Sequence, residues 1–85
     1  MRPRVDWMNQ TDDRVLELLA ESDLILTPAV IAKNLEYTRN WVSRRIGKLE
    51  DSGLVEPVDS GYYRITDMGR AYLAGDLDAS DLEDE

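Results

Sequence analysis

The chain has 85 residues and a formal charge of −8, with no cysteine and no histidine. That length makes one small domain with a single modest core and no room for a large internal ligand cavity. The missing residue types exclude disulfides, thiol redox chemistry, thiolate or imidazole metal sites, and every catalytic triad that needs an imidazole base.

The opening segment "MRPRVDWMNQ" lacks the apolar stretch of a signal peptide. No apolar run approaches the roughly 20 residues that span a bilayer. A soluble cytoplasmic protein with no membrane partner is expected. Within this segment "RVDWM" is an apolar patch, placed either to cover the core or, through Trp7 and Met8, to form part of a dimer contact.

Each of the four threonines stands where a helix could begin, because a threonine hydroxyl can accept a bond from an orphan amide of the first turn. Thr11 precedes "DDRVLELLAES", with Val15, Leu16 and Leu19 on one face and Asp12 and Asp13 at the end where the helix dipole favours negative charge. "LIL", Leu24 to Leu26, reads as a short buried strand. Thr27 and Pro28 then open a second helix, "PAVIAKNL", with Val30, Ile31 and Leu35 inward. "EY" is a tight turn. Thr38 opens a third helix, placed at 38–52 and closed by Gly53 in the left-handed conformation. "LVEPV" and "YYRI", separated by "DSG", read as a hairpin. Pro57 marks the first of these strands as an edge. In the second, Tyr63 and Ile65 face the core while Tyr62 and Arg64 face out. Thr66 opens a last helix, "DMGRAYLA", ended by Gly75.

The final segment, 76–85, is "DLDASDLEDE", with six acids in ten residues. It cannot bury enough apolar surface to offset its ordering entropy and is expected to be a disordered acidic tail after a domain spanning 1–75. Carboxylates alone would hold a hard cation only loosely without a rigid cage, so no metal site and no cofactor is expected. The order helix, short strand, helix, tight turn, helix, hairpin, helix makes a mostly helical α+β domain: a winged helix-turn-helix with a three-helix core, a β-hairpin wing and a short C-terminal helix.

The window "TRNWVSRRIGK", Thr38 to Lys48, breaks the chain's acidity. It holds Arg39, Arg44, Arg45 and Lys48 and no acid, for a charge of +4. At about 100° per residue, Val42, Ile46 and Leu49 form the buried stripe. Asn40, Ser43, Arg44, Gly47 and Lys48 face outward, Arg39 lies at the N-terminal edge, and Trp41 and Arg45 share a flank where they could stack. Arginine can bond guanine O6 and N7 in pairs, and asparagine adenine N6 and N7. The leading residues of a recognition helix usually reach base edges. Thr38, Arg39, Asn40, Ser43 and Arg44 are therefore candidate contacts to double-stranded DNA, with Arg45 and Lys48 toward phosphate and Tyr62 and Arg64 reaching phosphates from the wing. Gly47 either lets the backbone approach a groove wall or is a tolerated exposed glycine. A basic helix face alone is commonly just solvated. Its place after a helix-turn, before a hairpin and inside an acidic chain favours a DNA contact.

With these residues in place, the chain resembles a winged-helix transcriptional regulator, and within that class the halophage-repressor-like proteins of haloarchaea. The resemblance is carried by "WMNQTDDRVLELL", "LTPAVIAKNLEYTRNWVSRRIGKLEDSGLVE" and "GYYRITDMGRAYLAGDLD". It implies sequence-specific binding of double-stranded DNA, often as a homodimer, with repression as the outcome, and carries over onto Arg39, Asn40, Ser43, Arg44 and Arg64. Eleven Asp against seven Glu, and eight Arg against two Lys, also resemble cytosolic proteins of salt-accumulating archaea. The alternative is a winged-helix protein–protein interaction module that never touches DNA, since fold does not fix function. An enzyme is not expected: no convergent nucleophile, base and oxyanion set is visible. No small-molecule effector is evident.

Overall fold

A computed structural model describes residues 8–75. Trp7 and the acidic segment 76–85 lie outside the described residues. Four helices and one hairpin follow in the order α1 (Gln10–Ser22), α2 (Pro28–Leu35), α3 (Arg39–Asp51), β1 (Val55–Asp59), β2 (Tyr62–Ile65) and α4 (Asp67–Ala74).

Side-chain caps set the start of each helix. Thr27, Thr38 and Thr66 accept from the amides of Val30, Trp41 and Gly69 and so begin α2, α3 and α4 as expected. Thr11 does not begin α1. That role falls to Asn9, whose side chain accepts from the Asp12 amide while the Asp12 carboxylate accepts from the Asn9 amide, both at 3.1 Å. This is a reciprocal capping box one turn long, and it leaves Thr11 buried inside the helix. The turn from α2 to α3 is tight because Glu36 takes a left-handed conformation at φ 63. Gly53, at φ 83, ends the α3 region, where a side chain would be strained.

The core is built from one stripe of each helix. Val15, Leu16 and Leu19 of α1, Ile31 and Ala32 of α2, and Val42, Ile46 and Leu49 of α3 are all buried, joined by Leu54, Val55, Ile65 and Tyr72. Burying each such aliphatic side chain contributes about 1.5–3 kcal/mol before ordering costs. Met8 belongs to this cluster, so that end of the "RVDWM" patch covers the core. Val30 does not: it is 43% exposed, because Ile31, Ala32 and Leu35 already define the inward side of an eight-residue helix.

β1 and β2 pair antiparallel, with Glu56 opposite Arg64 and an irregularity between Pro57 and Asp59. On the other side of β2, Leu26 and Tyr63 exchange two backbone bonds of 2.9 Å. The expected "LIL" strand is thus a single bridge. Leu26 packs on the core, while Leu24 and Ile25 are exposed, because pairing that stops after one residue leaves the preceding chain on the surface. Thr66 ties the hairpin to α3: its hydroxyl donates to the Gly53 carbonyl at 2.6 Å. Gly69 allows α4 to lie against this junction. A Cβ there would stand 2.4 Å from the Leu54 carbonyl oxygen and 2.6 Å from Ile65 Cγ1. No helix among the described residues is long and apolar enough to cross a membrane.

Candidate nucleic-acid interface

The thirteen residues of α3 make a rod about 20 Å long. Val42, Ile46 and Leu49 anchor its inner side. Arg39, Asn40, Ser43, Arg44 and Gly47 are exposed, and Lys48 is half-buried. Among the described residues the Arg39 and Arg44 side chains have no hydrogen-bond or ion-pair partner, and both residues are exposed. The acids of this helix, Glu50 and Asp51, are exposed at its far end. The leading half of α3 is therefore positive, in the same sense as the helix dipole, and the trailing end is negative.

Thr38 spends its acceptor on the Trp41 amide at 3.2 Å, which makes it first of all the cap that starts this helix. Its hydroxyl proton remains to donate.

Arg45 departs from expectation. Its Nε and Nη2 donate to the two carboxylate oxygens of Asp12 at 2.8 and 2.6 Å, and its guanidinium lies 5.7 Å from the Trp41 ring centroid. Asp12 is fully buried and the Arg45 side chain 18% exposed. The hydrogen bond to Asp12 raises the guanidinium above its ordinary value; burial opposes this and the charge of Asp12 adds to it. For Arg45 to reach phosphate it would have to leave Asp12 and strand a buried carboxylate. Beside it, Trp41 Nε1 donates to Thr11 Oγ1 at 3.0 Å, so one flank of α3 is clasped to the first turn of α1. The stacking expected of Trp41 and Arg45 is present, in the service of packing.

The opposite flank faces the wing. Arg39 and Ser43 line a shallow groove with Thr27, Pro28, Gly61 and Tyr63. The start of α2 and the strand residue Tyr63 were not anticipated here, although the Thr27–Pro28 cap signals that α2 begins where an amide-rich end would sit. Tyr62 is exposed on the wing. Arg64 lies apart from the α3 cluster, in a cleft with Leu24, Ile25 and Arg70, and pairs with its cross-strand partner Glu56. That pair is solvent-exposed, so it is weakly held and open to exchange.

This geometry agrees with the comparisons to known proteins. The winged helix-turn-helix phage repressor model matches residues 1–85. The repressor protein of Halobacterium phage phiH is 41% identical, over 98% of each chain. The crystal structure of the PhiH1 repressor-like protein from Haloarcula marismortui superimposes with a TM-score of 0.79 at 40% identity, covering 93% of this chain and 91% of that one. The chain belongs to the winged helix-turn-helix phage repressor family.

Proposed function

We propose that the chain is a repressor that binds a specific double-stranded sequence by laying the leading half of α3 in the major groove. Membership of a repressor family makes it a DNA-binding regulator rather than an enzyme. The observation that carries the finer reading is the exposure, on one side of one helix, of Arg39, Asn40, Ser43 and Arg44, with both arginine side chains unpaired among the described residues. Arg44 and Arg39 suit guanine edges and Asn40 an adenine edge. Lys48 and Tyr62 would contact phosphate, with Arg64 a further wing contact once it leaves Glu56. Two copies would read half-sites about 34–36 Å apart and block a promoter.

The acidic remainder of the chain fits this mode. In a salt-rich cytoplasm the Debye length falls to about 3 Å at 1 M, and counterion release drives binding weakly. Short-range base contacts then carry the affinity, and a confined basic patch gives little non-specific attachment.

Selection of bound duplexes from a random pool at high potassium chloride tests the reading. The expected winners contain an inverted repeat. Winners without any shared sequence would remove base reading, and a single unrepeated site would remove the dimer. Failure to retain any duplex would leave the protein–protein alternative.

A further inference from the structure

Among the described residues, Trp41 is the one large apolar side chain of α3 left at the surface, 37% exposed. We propose that its ring is a base-reading contact, seated on the 5-methyl group of a thymine at the edge of the site occupied by the leading half of α3; the proposal rests on the DNA-binding reading above.

Three observations carry it. The first is where the ring stands. At about 100° per residue, Trp41 falls on the seam between the buried and the exposed sides of α3. Arg45, four residues on, turns inward to Asp12. Asn40, just before it, and Arg44, three residues on, are exposed. Trp41 also belongs to the first turn of α3, and the leading residues of a recognition helix are those that reach base edges. The second is how the ring is held. Its Nε1 donates to Thr11 Oγ1 at 3.0 Å, and the Arg45 guanidinium lies 5.7 Å from its centroid. Nε1–H is the only polar group of an indole. It is spent inside the chain, so what the ring offers a partner is hydrocarbon. A ring fixed in advance also loses little freedom on contact. The inner stripe of α3 is closed by Val42, Ile46 and Leu49, and the exposed part of the indole lies outside that core. The third is the chemistry of the opposing surface. Among the groups that base pairs present in the major groove, the thymine 5-methyl is the apolar one. Contact between two apolar groups is not screened by ions as charge pairs are.

The test replaces each thymine of a selected operator by uracil, one position at a time, and titrates the full chain and a Trp41→Ala variant. Uracil keeps the base pair and its hydrogen-bonding edge and removes only the methyl group. One position under the leading half of α3 is expected to cost the full chain about fourfold in affinity, the factor for exposing one methyl-sized group. The same replacement should cost the Trp41→Ala variant nothing. A loss at no position, or a loss that Trp41→Ala retains in full, overturns the proposal. A second measurement keeps the native ring, in case the thermal midpoint shows that Trp41→Ala does not fold. In a Trp7→Phe chain Trp41 is the sole tryptophan. Its quenching by acrylamide should fall on binding the operator, and fall less on the uracil duplex. Quenching unchanged by binding overturns the contact, and equal protection on both duplexes places the ring on the sugar and overturns base reading. Failure of the selection to yield any operator would instead defeat the underlying DNA-binding reading.

Discussion

Arg45 and Asp12 stand 33 residues apart in sequence and share two bonds, Nε to Oδ1 at 2.8 Å and Nη2 to Oδ2 at 2.6 Å. One oxygen of the same carboxylate also caps α1 through the Asn9 amide. A single buried side chain therefore fixes both where α1 begins and how α3 leans against it. Neighbouring arginines on one helix consequently have opposite duties: Arg45 holds the fold and Arg44 faces solvent.

That division predicts a contrast in stability. Arg45→Ala leaves Asp12 buried and unpaired, which costs about 3–5 kcal/mol. Arg44→Ala removes an exposed side chain and is expected to stay within about 0.5 kcal/mol. Urea unfolding at fixed salt measures both. Because the Asp12 pair is shielded from solvent, the contrast should persist in molar potassium chloride. Equal midpoints for the two variants would remove the clasp from the stability of the domain.

The two helical glycines should respond to alanine with opposite sign. At Gly69 a methyl group would meet the Leu54 carbonyl at 2.4 Å, and overpacking of this kind costs about 1–3 kcal/mol. At Gly47 nothing lies within 4 Å of the added carbon, so the gain in helix propensity, up to about 1 kcal/mol, is realised. Thermal unfolding distinguishes them. Among the described residues nothing requires a glycine at position 47. If the Gly47 backbone approaches the groove wall, Gly47→Ala, though more stable, is expected to bind its operator less tightly. Unchanged affinity would mark Gly47 as an ordinary exposed position.

The caps offer a smaller test. Asn9→Ala removes the acceptor for the Asp12 amide and should cost about 1 kcal/mol. Thr11→Val removes the acceptor for Trp41 Nε1. Trp41 is 37% exposed and can turn to water, so a loss near 1 kcal/mol is expected there too. Trp41 emission should shift in the Thr11 variant, and not in the Asn9 one.

Much of this architecture was legible because its signals are local. Thr27, Thr38 and Thr66 each sit three residues before the amide they cap, and the heptad-like spacing of Val42, Ile46 and Leu49 set the inner face of α3 without tertiary information. The outward set Arg39, Asn40, Ser43 and Arg44 follows from the same arithmetic. Asn9 is legible too: "NQTD" carries the capping-box spacing, with Asp12 three residues after Asn9, although Thr11 offers a competing cap inside it. Val30 was likewise within reach, since it falls far from Ile31 and Leu35 on a helical wheel. Other features were not local. Charge alone cannot separate Arg45 from Arg44; the difference lies in Asp12, brought in from another helix. The apolar run Leu24 to Leu26 resembles a buried strand, yet β2 offers it pairing only at Leu26. The groove joining Arg39 and Ser43 to Gly61 and Tyr63 depends on how the hairpin folds back toward α3, which no spacing encodes.

The base-reading assignment makes the last prediction. Arg44 is exposed, on the leading half of α3, and its side chain is unpaired among the described residues, so Arg44→Ala should cost about 1–3 kcal/mol on the operator and relax the preference at one base position. Lys48, a turn further along and half-buried, is assigned to phosphate. Lys48→Ala should weaken operator and random duplex by the same factor and reduce the dependence of affinity on salt. Titration of each variant against both duplexes at two salt concentrations separates these behaviours, because a base contact appears as a change in the ratio and a phosphate contact as a change in the slope. An Arg44 variant that loses affinity equally for both duplexes would show that its guanidinium lies on the backbone. Sequence choice would then rest on Arg39, Asn40 and Ser43.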